Sequence, residues 1–280
     1  MKMDNGVLWR SLLLFAVVAS LPALLVAQGE ASWEASGHVG FDSNVNLSVD
    51  DPQGDGYFGG AVVFQRDPSH ESRLDWSLEA SLRGSVFAET EDLAYATVEL
   101  APGLAYIPHY RWALNVSPFA EAKAVRDRDQ SALSYGIAAS LEERISDRWY
   151  AGQSYVYRVS RAEVETYSFS EHLFGLFVGA SWTERLSSEV GYIYSRGDSF
   201  RTVSTASGES LRRERHRRYS DTFGGEVVRE KVDRHAATVR FGIGWTGSLF
   251  SQVSYEFAVL NGDLGSAECH NGLFATGLRF

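Results

Sequence analysis

Disulfides, membrane-crossing helices and a basic surface are all missing from this 280-residue chain. It holds one cysteine, Cys269, which excludes an intramolecular disulfide framework and a cysteine-based zinc finger. Positive charge is in deficit, with 26 Lys and Arg against 36 Asp and Glu, which argues against a general nucleic-acid binder. Proline is scarce, at 6 residues. Long apolar runs are confined to the N-terminus, and a mean hydropathy of −0.19 argues against a bundle of transmembrane helices. It does not argue against a β-barrel, which places lipid-facing side chains at every second residue. What the chain does have is glycine (26 residues) and aromatic rings (16 Phe, 13 Tyr, 7 Trp), a profile that favours β-structure.

Lys2 and Arg10 flank a polar start, and Ser11–Ala27 follows as an apolar stretch ending in small residues. This is the layout of a secretory signal peptide, with cleavage expected after Ala27 or Gly29. Pro22 interrupts the segment and no stop-transfer charges follow it, which argues against a retained anchor. No cysteine stands at the cleavage site, so a lipoprotein is not expected. The reading is a signal peptide at 1–29 and one domain at 30–280.

After residue 30 the dominant period is two. In 111–124 the even positions run Trp112, Leu114, Val116, Pro118, Ala120, Ala122, while the odd ones include Arg111, Asn115, Ser117, Glu121 and Lys123. One face is apolar and the other mostly polar, as a half-buried strand demands. The pattern predicts twelve strands, near 33–46, 56–66, 71–87, 93–107, 109–126, 131–143, 147–160, 169–183, 187–200, 232–246, 248–260 and 270–280. Connections sort by parity. Those after even strands are short, and those after odd strands are mostly longer (47–55, 88–92, 161–168, 201–231, 261–269), with 127–130 an exception. Short periplasmic turns and longer outer loops characterise outer-membrane barrels. The chain closes on Phe274, Thr276, Leu278 and Phe280 along one face, which resembles the C-terminal recognition signal read by the barrel assembly machinery. The expected fold is therefore all-β: an antiparallel transmembrane β-barrel of about 12 strands after a cleaved signal peptide, located in the bacterial outer membrane.

A closed sheet is required because every backbone polar group in hydrocarbon needs a partner. The alternation sends Trp33, Phe58, Trp76, Tyr106, Trp112, Trp149, Phe174, Trp182, Tyr192, Tyr194, Trp245, Phe257 and Phe280 outward, several of them near strand ends where aromatic girdles form. It sends Glu34, His38, Asp42, Arg73, Asp75, Glu79, Arg83, Glu99, Arg111, Glu121, Lys123, Glu142, Arg158, Glu189, Arg240, Glu256 and Arg279 inward. Acids and bases are nearly balanced on that face. It reads either as a polar channel or as a narrow interior filled by salt bridges and water.

Loop 201–231 carries Leu211–Arg218, in which Arg212, Arg213, Arg215, Arg217 and Arg218 fall within eight residues. Guanidinium groups suit lipopolysaccharide phosphates. The same loop could fold into the mouth as a gate, or stay solvated. Covalent chemistry is less well supported. A serine hydrolase needs a histidine beside the serine and a third group to orient it. His38 and Asp42 share a strand face, and His270-Asn271-Gly272 shares only fragments of the outer-membrane phospholipase pattern. An interior hydrogen-bonding role suits His38 and Asp42 better. No catalytic residue, metal site or cofactor is expected, and Cys269 falls in the last outer loop as read from the pattern.

The barrel opens with Gly37-His-Val-Gly-Phe-Asp42-Ser43-Asn44-Val45-Asn46. A Gly-rich strand ending in Asp-Ser-Asn-Val-Asn resembles the barrel start of surface lipoprotein assembly modifiers. That resemblance implies an outer-membrane barrel and, by extension, polypeptide export. It covers ten residues, and the tetratricopeptide domain of that family has no counterpart before this first strand. The expected function is passage of a small solute or polypeptide across the outer membrane without covalent chemistry. The expected partners are outer-membrane lipid, lipopolysaccharide and the barrel assembly machinery, and not nucleic acid. Alternatives are an assembly-modifier-like secretion factor, a barrel lipid hydrolase or protease, and a structural or adhesin barrel.

Overall fold

The computed structural model describes residues 30–69, 72–203 and 217–280. The expected signal peptide and Arg212, Arg213 and Arg215 lie outside the described residues. Thirteen strands follow in order: β1 (Glu30–Asp42), β2 (Asp55–Asp67), β3 (Leu74–Phe87), β4 (Tyr95–His109), β5 (Trp112–Val125), β6 (Ala132–Arg144), β7 (Trp149–Ala162), β8 (Phe169–Ser181), β9 (Leu186–Val203), β10 (Arg217–Ser220), β11 (Gly225–Gly244), β12 (Leu249–Gly262) and β13 (Gly265–Arg279). Neighbours pair antiparallel, β9 pairs with β11, and β13 returns to β1. Twelve strands thus close the wall, and β10 is a short hairpin arm on the outer end of β11. The ends of the barrel meet where Trp33 and Phe280 exchange backbone hydrogen bonds of 3.1 and 2.8 Å.

Closure leaves no edge in the twelve-stranded wall, so its backbone groups are paired with little conventional core. The outward face is an apolar band: Val39, Phe58, Leu104, Leu133, Leu176, Val190 and Val253 are all exposed. Leu78, also outward in phase, is covered by Phe64 and Trp33. The inward face carries the polar partners of the alternation. Gly59 marks a tight point on it, since a Cβ there would collide with the Gly84 carbonyl oxygen and lie 2.7 Å from His38 Nε2.

The two rims are built differently. At one, the turns are short. Three of them repeat one device, in Ile145–Trp149, Trp182–Leu186 and Trp245–Leu249. The first residue's amide bonds the last residue's carbonyl at 2.8–2.9 Å. The Ser or Thr in second place (Ser146, Thr183, Thr246) accepts from two following amides with its hydroxyl. Such hydroxyls favour tight turns for this reason. At the other rim, connections 43–54, 88–94, 126–131 and 163–168 are longer. Short turns face the periplasm and longer loops face outward in such barrels.

Three boundaries correct the sequence reading. Residues 43–46 leave β1 and belong to a loop. The expected loop 201–231 is partly strand, because β9 runs to Val203 and β11 starts at Gly225. The expected loop 261–269 is only the turn Asp263-Leu264, with Gly265 in the left-handed region at φ +112. Cys269 is therefore in β13, opposite Ala258, and not in a loop. These segments rise beyond the headgroups, where neither face need be apolar, so their polar sequence does not look like a membrane strand.

Candidate functional site: the lumen and its outer roof

The inner wall surrounds a cavity of about 810 Å³. The polar part of its lining is drawn from eight of the twelve wall strands, with Glu34, His38 and Asp42 of β1, Tyr57 of β2, Arg83 and Ser85 of β3, Tyr95 of β4, Lys123 of β5, Arg240 of β11, Gln252 of β12 and Asn271 of β13 standing among apolar side chains such as Val63, Phe87, Phe250 and Leu273. A second cavity of about 440 Å³, bordered by Glu189, Thr238, Ser254 and Glu256, shares Arg240, Asn271 and Leu273 with the first. Wall groups satisfy one another laterally. His38 Nε2 lies 2.9 Å from Ser85 Oγ, Tyr57 donates to Asn271 Oδ1 at 3.0 Å, and the Lys123 ammonium sits 4.9 Å above the Tyr95 ring.

The ion pairs decide between an open and a filled lumen. Arg83–Glu79 (3.2 Å) lies along one strand. Arg240–Glu189 (3.3 Å), Arg279–Glu34 (2.9 Å) and Arg234–Glu256 each join adjacent strands. Every one of these pairs lies flat on the wall, and none reaches across the bore. Glu79, Glu99 and Glu121 form an acidic arc on β3–β5, with Glu99 and Glu121 opposite each other in register. Arg83 is on this arc, while Arg158 stacks on Phe119 at 5.3 Å.

The outer end is roofed from two sides. The first roof is loop 43–54, which folds inward. Asn44, Asn46 and Ser48 are buried. Asn44 donates to the Ser48 and Glu268 carbonyls at 2.9 and 3.2 Å, and its Oδ1 accepts from the Ser48 amide. Asn46 bridges Asp51 and Gln53. Leu47, at φ +50, packs against the inner-wall cluster Ala236, Ala258 and Leu260. A leucine in that region costs about 1–2 kcal/mol, so its surroundings must hold it. Arg201 does so. Fully buried, it donates to the Leu47 carbonyl (3.3 Å), to the Gly265 carbonyl (2.8 Å) and to Glu230 (3.0 Å). Glu230 in turn accepts from the Leu264 amide at 3.1 Å.

The second roof joins the other outer loops. Tyr167, Phe223 and Val227 form a buried cluster with Leu93, Val164 and Phe200. Burial pushes the Tyr167 phenol above its ordinary range. Thr222 donates to Asp127 at 2.8 Å, and Arg218 pairs with Asp129 at 2.6 Å. Val45, Leu93, Gln130 and Phe200 close the main cavity from this side.

The remaining sequence-derived sites fall as follows. Asp75 pairs with Arg66 at the short-turn rim, and Glu142 stands on the inward phase of β6. Arg73 and Arg111 are not on the wall. They lie in the 68–73 and 110–111 connections, where Arg111 stacks on Tyr110. His38 and Asp42 do not pair, since Asp42 accepts from the Asn44 amide and from Asn271. Arg217 pairs with Glu226 and Arg218 with Asp129, so both bind their own protein. Phe274, Leu278 and Phe280 lie exposed at the barrel seam. The sequence reading missed Arg201 and Glu230, whose positions were assigned to a loop. Glu226–Val232 shows no alternation that could have marked Glu230.

No family model matches the sequence, and no curated protein matches it. Solved structures do match the fold. An outer membrane channel from Pseudomonas putida F1 superposes with a TM-score of 0.54 at 8% identity, over 90% of this chain and 97% of that one. This chain has the fold of an outer-membrane β-barrel. The KdgM porin in complex with disordered oligogalacturonate gives 0.51 at 7% identity, over 88% and 99% of the two chains. The NanC porin gives 0.50 at 8%, over 87% and 98%. These matches are to barrels of channels, and they give no support to the resemblance to lipoprotein assembly modifiers. The Asp42–Asn46 residues that carried that resemblance are used here to build the inward loop.

Proposed function

We propose that this barrel is a channel for small polar solutes crossing the outer membrane, with loop 43–54 setting the size limit. The observation that carries the reading is the cavity of about 810 Å³, lined by charged and polar groups among apolar ones and crossed by none of the wall's ion pairs described above. Pairing on the wall leaves only the short acidic arc on β3–β5 with charge of one sign, so neutral or zwitterionic solutes suit it better than a polyanion. The oligogalacturonate of the KdgM structure is a property of that protein, and the acidic arc Glu79–Glu99–Glu121 argues against its transfer here. The outward Phe274, Leu278 and Phe280 would serve as the signal for the assembly machinery.

The experiment is single-channel recording in a planar bilayer. The intact barrel is compared with one in which 45–52 is replaced by two glycines. We expect small steps from the first and clearly larger ones from the second. Silence from both would sink the channel reading.

A hydrolytic reading has one observation in its favour, the Ser85–His38 contact in the cavity. No carboxylate hydrogen-bonds His38 among the described residues, so the group that would orient the ring is missing. Ester hydrolysis abolished by Ser85→Ala would revive it.

A further inference from the structure

Three histidines stand exposed on the outward face near the long-loop rim, and each sits in the same bracket. His172 of β8 lies between Tyr155 and Tyr157 of β7, with Nδ1 at 2.9 Å from the Tyr155 hydroxyl. His235 of β11 lies between Tyr192 and Tyr194 of β9, with Nδ1 at 2.6 Å from Tyr192. His270 of β13 lies between Tyr255 and Phe257 of β12, with Nδ1 at 2.6 Å from Tyr255.

The three brackets share one level. His172 faces Arg196, and Arg196 faces Asp233, two residues before His235. Asp233 faces Asn261, which faces Ser266, four residues before His270. The drift is one residue per strand, about 3.3 Å along for about 4.8 Å across, a slope of about 35°. Barrel strands tilt by about that angle, so the histidines form a ring around half the barrel. The outward residues near the same rim on the other half are Phe41, Phe58, Val86 and Leu133, all apolar.

We propose that this half-ring binds the phosphate groups of lipopolysaccharide. A tyrosine hydroxyl donating to Nδ1 leaves the ring proton on Nε2, and a protonated ring carries it there as well. Nε2 of all three histidines has no partner among the described residues. Each bracket therefore offers one N–H donor to the headgroup layer, on a ring fixed by aromatic neighbours. Exposed Arg196 and Lys231 stand beside and beyond the ring and supply charge, to which phosphate makes strong hydrogen bonds. The carboxylates on this surface are Asp233, held by Tyr194 at 2.7 Å and by Arg196 at 3.8 Å, Asp198, paired with Arg229 at 2.7 Å, Asp263, which shares a recess with Arg196 and Lys231, and Glu268, beside His270. The occupant belongs to the outer leaflet because the opposite rim has a different outfit. All six tryptophans among the described residues (33, 76, 112, 149, 182 and 245) lie there, and no histidine bracket does.

The test uses the membrane-extracted barrel in detergent, with its unfolding midpoint followed by heat-modifiable gel migration. Bisphosphoryl lipid A, dephosphorylated lipid A and phosphatidylglycerol are titrated separately. The bisphosphoryl form should raise the midpoint and the other two should not. His172→Phe, His235→Phe and His270→Phe together should weaken the apparent affinity about two- to fivefold, as exposed charged contacts do. Trp149→Phe with Trp182→Phe should leave it unchanged. Equal stabilisation by the dephosphorylated lipid would overturn the proposal, because acyl chains alone would explain binding. Equal stabilisation by phosphatidylglycerol would overturn it in favour of any phospholipid. Undiminished affinity in the triple variant would overturn it too. Should the triple variant fail to fold, the three single variants are titrated in the same way.

Discussion

The two rims of this barrel meet membrane interfaces of opposite orientation, and they are finished with different chemistry. The short-turn rim is closed by repeated hydroxyl-capped turns and faced with tryptophan, as in the Trp149–Trp182 edge contact at 5.6 Å. Its turns are ordered locally, by hydroxyl bonds between residues two or three positions apart. Half of the long-loop rim is faced with tyrosine and histidine, and its order includes long-range bonds. Asn44 reaches Glu268 and Arg201 reaches Leu47, across 224 and 154 positions of sequence. A locally built rim tolerates the loss of any single bond. A rim built on one buried charge does not.

That contrast can be broken most forcefully at Glu230. Glu230→Ala strands the Arg201 guanidinium without its counter-charge and should cost about 3–5 kcal/mol. The unfolding midpoint in urea would show it, and conductance should rise as loop 43–54 loosens. An unchanged midpoint would mean the outer rim is not pinned there. Leu176→Arg, on the lipid face between the rims, should cost about 2–4 kcal/mol. It serves as the yardstick for damage that belongs to neither rim. At the short-turn rim, Thr246→Ala removes two hydrogen bonds to one hydroxyl but leaves the turn's backbone bond, and about 0.5–1.5 kcal/mol is expected. A larger loss would erase the distinction between the rims. Smallest of all, Arg126→Ala removes exposed pairs with Glu91 and Asp92 and should shift stability by about 0–1 kcal/mol.

The wall was legible in the sequence because a period of two is a local property. Once Trp112, Leu114 and Val116 are seen to alternate with Asn115 and Ser117, their faces follow without knowledge of any partner strand. The roof was not legible. Asp42-Ser43-Asn44-Val45-Asn46 has the composition of any polar strand end. Its inward path depends on carbonyls of Glu268 and Ser48 and on the amide of Thr202. The start of β11 was missed for a related reason: Glu226, Arg229 and Lys231 stand beyond the lipid, where alternation no longer sorts apolar from polar. The histidine brackets were half visible. The pairs Tyr155/Tyr157 and Tyr192/Tyr194 recur with plain spacing, but only the register brings His172 and His235 between them.

The contacts of Arg201 also bear on how the barrel is completed. Its three partners come from the loop after the first strand, from β11 and from the start of the last strand. They can converge only when β13 has joined β1, the step with the widest sequence separation in the fold. Until then Leu47 has no wall to lean on, and its unfavourable backbone angle has nothing to maintain it. The inward path of loop 43–54 thus belongs to a barrel whose seam has shut.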